Sequence, residues 1–212
     1  MNRRELLKQI AILTGSVVIG GDLFLSGCKT ADKTVVTFSP ETIALLDEVA
    51  ETIIPATATP GAKAAKVGEF MKLMVTDCYT QNQQDAFMKG VAALDESCKK
   101  ANAKPFIECT AQQRHDFLAA LEKEAKAYNQ KRDEEDKPKQ EEHEKKNSTL
   151  AWKDQTEFEH APGHYYTMMK QLTLLGFFTS KTGMTETLRH EQVPGRYDGA
   201  MTYVKGDKAW AE

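Results

Sequence analysis

Twice in this chain a threonine is followed, three residues on, by a glutamine at the head of an apolar run. Thr80-x-x-Gln83 precedes Phe87, Val91, Leu94 and Cys98, and Thr110-x-x-Gln113 precedes Phe117, Leu118, Leu121, Ala125 and Tyr128. In such a capping box each side chain satisfies a backbone N–H that the first helical turn leaves open. The apolar residues that follow recur at three- and four-residue spacing, so each box opens an amphipathic helix. Two such faces in mid-chain must be buried against something. No run of alternating residues is long enough to build a sheet, so their partners must be further helices.

The flanking sequence supplies them. Ser39 caps, Pro40 suits the first helical position and Glu41 complements the positive helix end, with Ile43, Leu46, Ala50 and Ile53 inward until Pro55 stops the helix. Pro55-Ala-Thr-Ala-Thr-Pro60-Gly61 is a rigid non-helical turn. A helix is expected to resume near Ala62 with Val67, Phe70, Met71, Met74 and Val75 on one side, ending around Cys78. Lys104-Pro105-Phe106 interrupts the chain before the second box. Trp152 and Phe158 restart apolar structure. Pro162 then opens a helix with Tyr165, Met169, Leu172 and Leu175 on one face, which Gly176 closes, and a short helix with Thr182 or Thr185 as cap follows. Beyond Arg189 the chain is turn-forming. The reading is all-α: an irregular bundle of about five to six helices with an extended, turn-rich C-terminal arm.

Between the second box and Trp152 lies KRDEEDKPKQEEHEKKN, residues 131–147, with six basic and seven acidic side chains and no apolar stripe. It reads as a charged, flexible, solvated insert.

The first 28 residues have a different character. A basic start carrying Arg3 and Arg4 is followed by a modestly apolar stretch and then by Leu25-Ser26-Gly27-Cys28. That is the order of an export signal. Arg3 and Arg4 resemble the twin-arginine signal used to export folded proteins, and Leu-Ser-Gly-Cys resembles the lipobox of bacterial lipoproteins, with Cys28 as the lipidated residue. The apolar stretch is shorter than the ~20 residues that span a bilayer and holds three glycines and Asp22. The expected organisation is an export signal over 1–27, a lipidated tether over 28–38 and a single helical domain over 39–212, placed in the periplasm on a bacterial membrane.

Composition bounds the chemistry. A net charge of −3 without a concentrated basic patch argues against nucleic acid, and a mean hydropathy of −0.52 against further membrane spans. With Cys28 lipidated, Cys78, Cys98 and Cys109 remain. Cys98 and Cys109 could staple a helix connection, but Cys98 on an apolar face fits a buried thiol equally well. No G-x-G-x-x-G, C-x-x-C-H, G-x-S-x-G, H-E-x-x-H or phosphate-binding loop occurs. Neither catalytic, cofactor-binding nor metal-binding residues can be named. His160 and His164 stand four apart, but Pro162 and Gly163 between them take His160 off the helix face, so no metal is assigned. His115 and His143 read as solvated, and Met71, Met74, Met168 and Met169 as core. Tyr165, Tyr166, Phe177 and Phe178 are more aromatics than one buried face needs, and their surplus suits a partner surface.

Several stretches together resemble subunit 3 of the gluconate 2-dehydrogenase family. They are Arg3-Arg4-Glu5-Leu6-Leu7-Lys8, Leu46-Asp47-Glu48-Val49-Ala50-Glu51-Thr52-Ile53-Ile54-Pro55 with Thr59-Pro60-Gly61-Ala62, Leu172-Thr173-Leu174-Leu175-Gly176-Phe177-Phe178-Thr179-Ser180, and Val193-Pro194-Gly195-Arg196-Tyr197-Asp198-Gly199. The resemblance implies a non-catalytic small subunit that binds, escorts through folded-protein export and anchors an FAD-dependent sugar or sugar-acid dehydrogenase. FAD would sit in a large partner of glucose–methanol–choline oxidoreductase fold, with a cytochrome c subunit taking the electrons. The motifs make Pro55, Pro60, Gly61, Phe177, Phe178, Arg196, Tyr197 and Asp198 the candidate partner interface. The insert at 131–147 departs from the family pattern, and the lipobox goes beyond it. The alternative is a stand-alone periplasmic lipoprotein that binds a small ligand with the Pro55–Gly61 loop and the aromatic helix.

Overall fold

The computed structural model describes residues 36–193, 195, 198–202 and 204–211. Arg3, Arg4, Cys28, Pro194, Arg196 and Tyr197 lie outside them. The described residues form five α-helices: α1 (Pro40–Ile53), α2 (Val67–Cys78), α3 (Gln81–Asn102), α4 (Ala111–Asn147) and α5 (Tyr165–Phe178). Single helical turns at Phe106–Glu108, Trp152–Asp154 and Gly183–Thr187 join or follow them. The fold is the all-α bundle expected. None of these helices is long and apolar enough to cross a membrane.

The helix starts follow local chemistry. The Ser39 hydroxyl accepts the Thr42 N–H at 3.2 Å, and both capping boxes close in both directions. Between α2 and α3 the buried Gln84 donates from its amide to the carbonyls of Thr76 and Tyr79, both at 3.1 Å, closing the corner.

The last helix organises the packing. α5 lies against α1, α2, α3 and α4, so its buried residues are not one stripe but Tyr166, Met168, Met169, Leu172, Thr173, Gly176 and Phe177. A helix apolar on most sides belongs inside. Its one fully buried hydroxyl, on Thr173, donates to the Met169 carbonyl at 2.8 Å, so no polar group is stranded. The core around it contains Leu46, Val49, Val67, Met71, Val75, Phe87, Leu94 and Phe106.

Four expectations are corrected by this arrangement. Gly176 does not close α5; it is buried inside the helix, where its missing side chain admits the Phe70 ring. α5 starts at Tyr165 rather than Pro162, because tertiary hydrogen bonds hold residues 161–164 extended. α2 starts at Val67 rather than near Ala62, after Lys66 in the left-handed region at φ 54°. Tyr128, Trp152 and Leu175 are exposed, at 49%, 86% and 46%.

The largest difference is the charged run. Residues 131–147 continue α4 without a break. Pairs four apart, Lys131–Glu135, Lys146–Glu142, Gln130–Glu134 and Gln140–Glu144, lie within 2.8–3.8 Å. Each supports the helix only weakly, as exposed pairs at this spacing do. More is gained from a polar stripe at helical spacing. Asn129 accepts the His164 N–H at 2.9 Å, Asp136 accepts the Ala161 N–H at 2.9 Å, and His143 and Asn147 bond Thr156. The chain from Thr156 to His164 thus returns along α4 as a strap, fastened on both sides of Pro138, which lies within the helix.

The C-terminal arm is closed at its neck. Arg189 pairs with Trp210 in an isolated bridge, its N–H donating to the Ala209 carbonyl at 2.8 Å and its guanidinium lying 4.7 Å from the indole ring centre.

The helices meet where side chains are smallest. A Cβ at Gly90 of α3 would overlap the Tyr165 side chain of α5. Gly90→Ala is expected to lower the unfolding free energy by about 1–3 kcal/mol, although alanine is the better helix former; urea denaturation of the purified variant measures it.

Candidate functional site

Asp47, Glu48 and Glu51 occupy one side of α1, opposite the core-facing Leu46, Val49 and Ala50. Each carboxylate has its own set of partners, with Lys63 common to two of them. Glu51 accepts the N–H groups of Ala56 and Lys63, both at 2.8 Å, across the mouth of the Pro55–Gly61 loop. Gly61 passes so close to that carboxylate that a Cβ there would overlap it. Asp47 accepts the Gly68 N–H at 2.8 Å and caps α2 from 21 residues away. Lys66, the local cap position, makes no side-chain cap bond.

Glu48 is the junction. One of its oxygens pairs with Lys63 after the loop, the other with Arg114 in the first turn of α4. Arg114 also donates to the Ile107 carbonyl at 2.7 Å and the Cys109 carbonyl at 3.1 Å, and its guanidinium lies 5.7 Å from the centre of the Phe106 ring. Burial pushes the Glu48 carboxyl up, but the hydrogen bond from Lys63 and the Arg114 charge outweigh it and hold Glu48 below the usual carboxylate range. Asp47 goes the other way: burial outweighs its Gly68 hydrogen bond and raises it. The loop is therefore preset, held by hydrogen bonds to an α1 side chain before anything touches it.

A second feature is the outward side of α5. Leu174, Leu175 and Phe178 are 41%, 46% and 40% exposed within five consecutive residues of a helix that supplies seven buried residues. Positions 174, 175 and 178 are neighbours on a helix surface, so they make one apolar patch.

A third is a cleft of about 620 Å³ between the strap, the start of α3, α4 and α5. Gln83, Arg132, His160 and Gln171 line it with Tyr79 and Phe158. His160 sits 3.7 Å from Asp136. Among the described residues no group of three or more His, Cys, Asp or Glu side chains could hold a metal ion.

The sequence-based candidates are only partly brought together. Pro55 is exposed and Pro60 half-buried on the clamped loop. Gly61 and Phe177 are buried, Phe177 to 1%, and the ring that faces outward is Phe178. Asp198 is exposed, its carboxylate accepting the Ala200 N–H at 3.1 Å in a turn. Thr52 and Ile53, at the end of α1, line a depression with Tyr166 and Lys170, whereas Phe178 follows the Gly176 turn that packs on Phe70. Tyr166 and Phe178 are separated by about 18 Å of helix at 1.5 Å per residue. A partner touching both the loop and Phe178 must be broad. The clamping role of Asp47, Glu48 and Glu51 was missed from the sequence, although their i, i+1, i+4 spacing marks a polar helix side directly before the proline loop.

Two measurements follow. Glu48→Gln is expected to cost about 1–3 kcal/mol at neutral pH, since Arg114 and Lys63 lose a shared ionised acceptor. A carboxylate held low supplies stability above its unfolded pKa and loses it as pH falls through the folded one, so wild type and variant converge in melts as the pH is lowered through that folded value. His164 behaves oppositely to a paired histidine. Burial depresses its pKa below the ordinary 6.5, and its neutral Nδ1 accepts the Tyr166 N–H at 3.3 Å. Its contribution is present above about pH 6.5 and lost as pH falls through the lower folded value; in His164→Asn, which keeps a capping acceptor, a melting series from pH 7 to 5 should be flatter.

A family model described as gluconate 2-dehydrogenase subunit 3 matches residues 40–195, from the first residue of α1 into the C-terminal arm, well over half the chain. No curated protein matches the chain, and no solved structure does.

Proposed function

The chain belongs to the gluconate 2-dehydrogenase subunit 3 family, and on that premise we propose that it is the non-catalytic small subunit of a membrane-associated dehydrogenase. It binds a large FAD-containing partner of glucose–methanol–choline oxidoreductase type, which oxidises a sugar or sugar acid. It carries that partner through folded-protein export on Arg3 and Arg4, and holds it at a bacterial membrane through lipidated Cys28. A cytochrome c subunit accepts the electrons. The observation that carries this reading is the family match over residues 40–195, which takes in the clamped loop, the strap and α5.

The structural features support an escort. A surface that must receive a folded partner gains from being preset, because less ordering is left for the binding step. The Pro55–Gly61 loop is fixed by two prolines and by both oxygens of Glu51. Leu174, Leu175 and Phe178 supply an apolar centre of the kind that interface cores favour. We assign docking of the flavin subunit to that patch, with the loop as a further contact of the same broad partner.

Affinity capture of the full-length chain from its native membrane is expected to retain a large protein whose FAD is released on denaturation. Leu175→Asp with Phe178→Asp should abolish retention while leaving the helical circular dichroism unchanged; Arg3→Lys with Arg4→Lys should leave both proteins in the cytoplasm, and Cys28→Ala should release the complex from the membrane. Purification of the native chain without flavin or partner would refute the reading.

A further inference from the structure

The sulfur atoms of Cys98 and Cys109 lie 3.6 Å apart across the connection between α3 and α4. Cys98 belongs to the penultimate turn of α3 and is fully buried. Cys109 follows the Phe106–Glu108 turn, directly precedes the Thr110 cap of α4 and is 3% exposed. Both are free thiols. The segment joining them is shaped by other groups: Asp95 accepts the Phe106 N–H at 3.0 Å, and Arg114 holds the carbonyls of Ile107 and Cys109. The juxtaposition is therefore a product of the fold rather than of an attraction between the two thiols.

We propose that Cys98 and Cys109 are a covalent modification site: a dithiol that is oxidised to an intramolecular disulfide by exchange with a disulfide-bearing oxidant. A disulfide places its sulfurs about 2.05 Å apart, so about 1.5 Å of closure is needed, a movement on the scale of side-chain rotation. Little opposes it. The Asn102 amide, 3.5 Å from the Cys98 sulfur, finds an acceptor in either state. The contact surrendered is the long one, 3.9 Å, from the Cys109 thiol to the Lys104 carbonyl of an exposed residue.

The order of events follows from access. Cys109 is the sulfur with a trace of exposure, and Lys99, Lys100, Ala103, Lys104, Ile107 and Glu108 around it are open to solvent. Burial pushes the Cys98 thiol up and keeps it protonated longer. The Cys109 thiolate attacks the oxidant disulfide, giving a mixed disulfide and releasing one thiolate. Cys98 gives its proton to solvent and attacks the Cys109 sulfur, expelling the second thiolate. Two protein thiols lose two electrons, and one oxidant disulfide becomes two thiols. Cys78, exposed at the end of α2 and 4.0 Å from the Met74 sulfur, takes no part.

The bond would close a ring of about 12 residues and remove their freedom mainly from the unfolded chain. It would lock the end of α3 to the entrance of α4, where Arg114 reaches back to Glu48 on α1.

The probe is oxidised glutathione applied to the full-length chain, followed by denaturation in an alkylating agent and peptide mass spectrometry. A Cys98–Cys109 linked peptide with Cys78 alkylated is expected, together with a Tm rise of about 5–10 °C that dithiothreitol reverses. Cys78→Ser should keep both effects and Cys109→Ser should lose both. Recovery of Cys98 and Cys109 alkylated in the unvaried chain, or linkage of either to Cys78, overturns the proposal. The readout needs neither the flavin partner nor export, so it stands or falls separately from the subunit reading.

Discussion

Burial of α5 on several sides is the constraint on which the rest of the domain depends. A helix that touches four others cannot present one apolar stripe and one wet stripe; it needs apolar residues around most of its circumference. Tyr166, Met168, Met169, Leu172, Thr173 and Phe177 meet that need. Gly176 lets α5 approach Phe70 of α2, and Gly90 of α3 lets it approach closely from the other side. Because close-packed interiors relax only partly around added or missing atoms, these contacts fix where α2 and α3 lie. The large apolar side chains that α5 leaves exposed, Leu174, Leu175 and Phe178, are then the remainder of a core helix and not an accident of composition.

Around that centre, electrostatics does what local sequence does not. The chain between α1 and α2 has neither a regular structure nor a local helix cap, yet it is held in place by Asp47, Glu48 and Glu51 on one helix side. Their opposed pKa shifts have one explanation. Glu48 faces two cations and stays ionised easily; Asp47 faces mainly a backbone N–H and feels its desolvation. Arg114 extends the same network to α4 and the turn that carries Cys109. Loop, second helix and long helix are thus tied to α1 through Glu51, Asp47 and Glu48 in turn. The family match runs through all three elements.

The long helix shows the same division. Its charged half has nothing apolar to bury, but it is covered by a strap with matching hydrogen-bonding groups. Polar stripes of this kind stabilise through satisfied donors and acceptors rather than through area. They leave clefts where the match is incomplete, such as that around Arg132 and His160.

The sequence alone determined the helical class, because capping boxes at Thr80 and Thr110, the Ser39–Pro40 start and the three- to four-residue apolar spacing are local signals that tertiary packing had no reason to override. It also carried the family, through motifs whose residues recur in the clamp and in α5. It could not show that residues 131–147 stay helical, since their partners, Thr156 and Ala161, lie far enough along the chain to pair only after it turns back. It could not separate Phe177 from Phe178: adjacent helical residues point about 100° apart, and only the packing around α5 decides which is covered. The same holds for Asp47, which caps a helix 21 residues away, and for the two sulfurs, whose 3.6 Å approach depends on a turn held from α3 and α4. Local propensity settled where helices begin; the docking of helices on α5 decided which side chains remain free to act.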